Sequence, residues 1–227
     1  RTAINLLMGQ EWYDETACKD WLSMMGLLMP HPLPQLEAPP PPTAPASTRR
    51  QQSLRDSHGR AIHDLRLSIT DRCNFRCRYC MEPDDRFLPK RSLLSTDEYM
   101  RVVDAAISVG IRKVRITGGE PTLCPDLDLI VRELGKRDLD DLAMTTNGWR
   151  LDVSTVNRWR EDGLTRLTFS LDTLREDRFA TITRSSSSVF DVIHSIENAI
   201  MGGLPQPKVN VVALRHFNED EFADFAD

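Results

Sequence analysis

LRLSITDRCNFRCRYC, residues 65 to 80, runs from an alternating stretch straight into three cysteines. In LRLSIT (65–70), Leu65, Leu67 and Ile69 alternate with Arg66, Ser68 and Thr70, the two-residue period of a strand with one apolar face. Four later stretches repeat strand patterning: KVRIT (113–117), DLAMTT (141–146), RLTFSLD (166–172) and KVNVV (208–212). Helical patterns lie between them over 95–110, 124–137, 151–163 and 187–203, the first opening on a Ser or Thr cap and closing on Gly110. Strand and helix alternating in this way predict parallel β/α units with right-handed crossovers, an α/β class.

Parallel strands covered on both faces normally read as continuous apolar runs, whereas these alternate. If the apolar set faces the helices, the polar set faces the other side of the sheet, which in a barrel is the lumen. The expectation is a partial, TIM-type β/α barrel whose lumen-facing polar residues include Arg66, Arg115 and Lys208, cations suited to an anionic ligand. The alternative is a sheet with one face in water, on which the same cations are merely solvated.

The bulk composition sets outer limits. With 227 residues, 40% hydrophobic and 28% charged, the chain can bury one real core. A net charge of −5 argues against a general polyanion binder, so no nucleic-acid partner is expected. No apolar run approaches the roughly 18 to 20 residues that span a bilayer, and WLSMMGLLM (21–29) follows acidic residues, unlike a secretory signal or transit peptide. No membrane partner is expected either. Five cysteines, odd in number and mostly clustered, do not form a disulfide framework and suggest a reducing compartment. Residues 30–53 read as a proline-rich flexible linker. Residues 1–29 are an unassigned extension with a short helix over Trp12 to Trp21 and an ordinary thiol at Cys18, leaving 54–227 as the folded region.

Cys73-x₃-Cys77-x₂-Cys80 directly follows the first strand, at the C-terminal edge where β/α proteins keep their active sites. Structural zinc asks for four ligands, and catalytic zinc favours histidine or carboxylate, of which only His63 is a nearby histidine. Three thiolates suit a [4Fe–4S] cluster with one iron left open to a non-protein ligand. On the residues alone, zinc and a run of free thiols stay as alternatives.

An aromatic before the last cysteine, as in CNFRCRYC, makes this spacing resemble the signature of the radical S-adenosylmethionine (SAM) enzymes. RITGGEP (115–121) resembles their GGE motif, which receives the methionine amino group, and Glu120 offers an acceptor for an ammonium. Together with TTNG (145–148), SLD (170–172) and KVNVV, the chain from about Asp64 onward resembles the GTP 3′,8-cyclase (MoaA) family of molybdenum cofactor biosynthesis. The resemblance implies that Cys73, Cys77 and Cys80 hold a [4Fe–4S] cluster, that Tyr79, Gly119 and Ser170 contact SAM, and that Arg66, Arg115, Thr145 and Lys208 contact GTP. For Thr145, packing or capping at a strand end is an equal reading. The implied reaction is a lyase step in which a 5′-deoxyadenosyl radical removes hydrogen from C3′ of GTP and the carbon radical attacks C8. The product is (8S)-3′,8-cyclo-7,8-dihydroguanosine 5′-triphosphate. An electron donor and a downstream cyclic pyranopterin monophosphate synthase are implied as partners. A homodimer is allowed, and the location is cytoplasmic, or the mitochondrial matrix in a eukaryote.

The sequence departs from that family in several places. Glu82 stands between Met81 and Pro83, Cys124 reads as a free thiol, and the serine run in TRSSSSVF (183–190) reads as a mobile loop. The three further cysteines that hold a second [4Fe–4S] cluster in the family are absent, as is a sixth β/α unit, so a truncated N-terminal part is expected. Two other readings compete: a radical SAM enzyme of the peptide-modifying type, and a non-catalytic iron–sulfur or zinc-binding paralogue.

Overall fold

The computed structural model describes residues 5–8, 54–204 and 206–226. Its frame is a six-stranded sheet of β1 (Asn5–Met8), β2 (Asp64–Ser68), β3 (Lys113–Thr117), β4 (Asp141–Thr146), β5 (Arg166–Ser170) and β6 (Lys208–Ala213), ordered β1-β6-β5-β4-β3-β2. Every neighbouring pair is parallel. The connecting helices are α1 (Thr96–Ser108), α2 (Leu127–Gly135), α3 (Val153–Glu161), α4 (Glu176–Thr183) and α5 (Val189–Met201). All five expected strands form, β3 and β4 over the expected residues. Among the described residues one strand and one α-helix are additional: β1, too short to stand out in the sequence, and α4, whose N-cap residue Arg175 makes no side-chain cap. The helix expected over Trp12 to Trp21, Cys18 and the proline-rich linker lie outside the described residues.

Helices α1, α3 and α5 start where a side chain, Ser95, Asp152 or Ser188, accepts from one of their free N–H groups. Ser95 and Glu98 form a reciprocal capping box on α1, and Ser188 and Asp191 form another on α5. The serine run is therefore held rather than loose: Ser188 Oγ donates to Glu176 Oε2 at 2.8 Å, tying the start of α5 to α4.

One face of the sheet is apolar. Val114, Ile116, Met144, Leu167 and Phe169 are 0 to 1% exposed and share a core with Val131 and Leu134 of α2, Val156 of α3 and Val192 of α5. The other face is polar, and register aligns it in rows. Arg66 pairs with Arg115, Arg115 with Ala143 and Ala143 with Arg166. Further along the strands, Thr145 pairs with Thr168 and Thr168 with Lys208. The fold is thus an α/β, partial β/α barrel with polar residues on the face turned from the helices. Among the described residues, no helix is long and apolar enough to cross a membrane.

Candidate active site at the strand ends

The loops leaving β2, β3, β4 and β5 converge on one cavity of about 260 Å³. Cys73, Cys77 and Cys80 line it together with Tyr79, Gly119, Ser170, Arg66 and Thr145. Residues far apart in sequence thus meet at the C-terminal edge of the sheet, as the strand order requires. The remaining two candidates, Arg115 and Lys208, are not part of the cavity wall and lie on the polar sheet rows. Arg115 Nη1 donates to Thr168 Oγ1 at 3.2 Å and to Thr145 Oγ1 at 3.4 Å, so the Thr145 hydroxyl helps to aim a guanidinium.

The cysteine loop is fixed from below and from the side. The Arg76 and Arg78 amides donate to Thr183 O and Ile182 O at 2.8 and 3.0 Å, docking the loop on the last turn of α4. Phe75 meets Phe179 edge-on at 5.7 Å, and Arg76 donates to Cys73 O at 2.7 Å while its guanidinium lies 4.5 Å over the Phe87 ring. The GGE loop lies against it backbone to backbone: Gly119 N donates to Thr70 O and Glu120 N to Arg72 O, both at 2.7 Å. A Cβ on Gly119 would fall 2.3 Å from Arg72 O, which explains the glycine through packing on the chain itself.

Glu120, 1% exposed, is a clasp as well as an acceptor. Its Oε1 accepts from Thr122 N, Thr122 Oγ1 and Thr146 Oγ1 at 3.1, 2.8 and 2.7 Å, and its Oε2 accepts only from Asn147 N at 2.6 Å. Burial pushes its carboxyl above the ordinary range while these donors pull it back. Only Oε2 keeps a lone pair for an incoming ammonium.

Tyr79 also has an inward partner: its hydroxyl donates to Asp172 Oδ2 at 2.7 Å. Asp172 Oδ1 accepts from Val212 N at 2.9 Å, and Asn218 Nδ2 donates to Asp172 O at 2.6 Å. Burial, with Asp172 beside it, pushes the Tyr79 phenol far above its ordinary value. Asp172 and Asn147 stand inside the strand-end stretches SLD and TTNG, yet their polar atoms were not singled out from the sequence. Asn218 carried no signal at all, since only the folded chain returns it to β5.

The electrostatics divide the site into two levels. At the strand ends, burial raises the Cys73 thiol and pushes Cys77 up to about 12. On the polar sheet face sit Arg115, Arg166 and Lys208, with Arg66 reaching the cavity wall. Arg166 pairs with Asp141, and burial followed by repulsion from Arg166 lowers the Arg115 pKa. Positive charge therefore gathers on one face of a chain whose net charge is −5.

Among the described residues, no three His, Cys, Asp or Glu side chains are drawn together in metal-ligand geometry. The loop nevertheless fits a thiolate-bound iron–sulfur group on two observations. Three thiols share one cavity wall with no fourth cysteine on it. Beside Cys73, the Asn74 Nδ2 donor is buried without any acceptor from the protein, and sulfur would supply one.

Comparison with known proteins agrees with this geometry. The Radical SAM superfamily matches residues 67–227. The chain is 43% identical over 180 residues to GTP 3′,8-cyclase 3 of Mycobacterium bovis, covering 77% of this chain and 47% of that protein. It is 44% identical over 173 residues to GTP 3′,8-cyclase of Desulforamulus reducens, covering 75% of this chain and 53% of that protein. The chain spans about half the length of these curated relatives. Among solved structures, Streptococcus suis SuiB bound to precursor peptide SuiA superposes with a TM-score of 0.59 at 20% identity, covering 72% of this chain and 36% of SuiB. The [FeFe]-hydrogenase maturase HydG superposes with a TM-score of 0.55 at 14% identity, covering 65% of this chain and 34% of HydG. At such identities these two structures speak to the fold alone.

Proposed function

The chain belongs to the radical SAM superfamily, and from that premise we propose that it forms the SAM-cleaving half of a GTP 3′,8-cyclase. Cys73, Cys77 and Cys80 would hold a [4Fe–4S] cluster as thiolates. When bound, that cluster supplies the electron that splits SAM and so yields the radical that takes hydrogen from C3′ of GTP. The chain's own groups bind and orient. Glu120 Oε2 offers its free lone pair to the SAM ammonium, while Tyr79, Gly119 and Ser170 line the same cavity beside the cysteines.

The observation that carries the GTP reading is the set of cations on the polar sheet face, of which Arg66 reaches the cavity wall. Arg66 and Arg115 are register partners, and Lys208 lies two strands beyond Thr145, spread to meet the oxygens of a triphosphate. A substrate held by its phosphates on this face points its nucleoside toward the strand ends, where the cysteines are. An electron donor and a downstream synthase complete the proposed pathway step. A peptide-modifying relative would share the fold and the cysteines, but an anionic triphosphate gives these cations a function that a peptide does not.

Equilibrium binding of GTP under anaerobic conditions tests the reading. A charge-assisted hydrogen bond contributes about 1.5 to 3 kcal/mol, so Arg115→Ala should weaken GTP roughly tenfold or more, with guanosine binding weakest of all. GTP affinity unchanged in both Arg66→Ala and Arg115→Ala variants would overturn it.

A further inference from the structure

Two side-chain amides beside the cysteine loop form a chain of hydrogen bonds with one loose end. Asn147, 8% exposed, follows β4. Its backbone N donates to Glu120 Oε2, and its Oδ1 accepts from Trp149 N at 3.0 Å. With Oδ1 committed to that amide, Nδ2 must face the other way. It donates to Asn74 Oδ1 at 2.8 Å and lies 3.9 Å from Cys73 Sγ. Asn74 is in turn fixed in orientation, because its oxygen faces Asn147. Its Nδ2 is left buried with no partner in the protein.

A buried, unpaired amide donor costs about 1 to 3 kcal/mol, so its presence beside three thiols asks for an acceptor. We infer that Asn147 and Asn74 are a paired amide donor set for the sulfur of the bound iron–sulfur group, Asn147 aimed at the Cys73 thiolate and Asn74 at a second sulfur. The inference rests on the reading that Cys73, Cys77 and Cys80 hold that group. Hydrogen bonds to cluster sulfur draw electron density from the irons and favour the reduced state. The two asparagines are thus positioning and tuning residues: they touch the ligand sulfur, not the substrate. Because Asn147 also binds the Glu120 clasp through its backbone, the same residue links the SAM-side carboxylate to the Cys73 side of the cavity.

The test is a dye-mediated redox titration, followed by electron paramagnetic resonance without SAM, on anaerobically reconstituted wild-type, Asn147→Leu and Asn74→Leu proteins. Iron and sulfide are assayed in each. The leucine variants keep side-chain bulk and remove the donors. With iron content equal to wild type, the ratio of reduced to oxidised cluster at a fixed potential should fall roughly tenfold, equivalent to about 59 mV for one electron. Should Asn147→Leu fail to fold, Asn74→Leu decides alone, since Asn74 is only half-buried on the cysteine loop whereas Asn147 is buried. Midpoint potentials equal to wild type in iron-loaded variants would overturn the inference. Wild-type protein that takes up no iron would instead refute the cluster reading on which it rests, and the iron assay separates the two failures.

Discussion

At the scale of single residues, Glu120 shows how a site residue can be structural and functional at once. Its carboxylate is almost fully buried and takes four donors from three different residues. Glu120→Gln keeps the shape but turns one acceptor into a donor, so at least one of Thr122, Thr146 or Asn147 loses its partner. Chemical denaturation should register a loss of about 1 to 3 kcal/mol; an unchanged midpoint would contradict the clasp. The sequence made Glu120 visible as an acceptor, and Cys73, Cys77 and Cys80 visible by number and spacing. It could not show that Glu120 Oε1 is saturated, that the Tyr79 hydroxyl is bound to Asp172, or that Asn218 reaches back to β5. Those facts depend on which strand ends become neighbours, and the spacing along a chain does not encode that.

At the scale of elements, the loop-on-loop contact at Gly119 and the clasp around Glu221 decide whether the cavity keeps its shape. A methyl on Gly119 meets backbone, which cannot swing aside as a flexible side chain would. Gly119→Ala is therefore expected to push the cysteine loop from the GGE loop and to cut iron uptake on reconstitution, while far-ultraviolet circular dichroism keeps its native form. Full iron uptake by this variant would count against the packing role. Glu221, 0% exposed, accepts from Thr173 Oγ1, Leu174 N and Arg178 Nη1 at 2.8, 2.7 and 2.6 Å, fastening the turn after β6 to the loop after β5. Burial raises its carboxyl, but these partners outweigh burial and hold it below the ordinary 4.5. A carboxyl with a lowered folded pKa stabilises above its unfolded value and loses that contribution as pH falls through the folded one. The stability gap between wild type and Glu221→Gln should accordingly be widest near neutral pH and close below about pH 4.5. A gap that widens on acidification would reverse the sign and refute the assignment. Helix α1 was legible from its Ser or Thr cap and closing glycine, whereas α4 was not, because EDRFATIT has neither a capping side chain nor a long apolar stripe.

At the scale of the whole molecule, the division of the sheet into an apolar and a cationic face is what makes the fold a site. Strand alternation revealed that division in advance, down to Arg66, Arg115 and Lys208, because a period of two survives whatever the tertiary context. Alternation puts Arg166 on the same polar face without counting it among those cations, and only register shows it sharing a row with Arg115, with Asp141 as its counter-ion. If these cations meet phosphate, GTP binding should weaken as salt rises from about 0.05 to 0.5 M, since screening shortens to a few ångströms over that range. Guanosine binding should change far less, and parallel salt responses of the two ligands would argue against a phosphate role. The most direct measurement of the central claim is anaerobic reconstitution with iron and sulfide, followed by dithionite and SAM. Wild-type protein is predicted to form a brown cluster and release 5′-deoxyadenosine, with both lost in Cys77→Ala. Zinc bound in place of iron, or an intact cluster that releases no 5′-deoxyadenosine, would contradict the account.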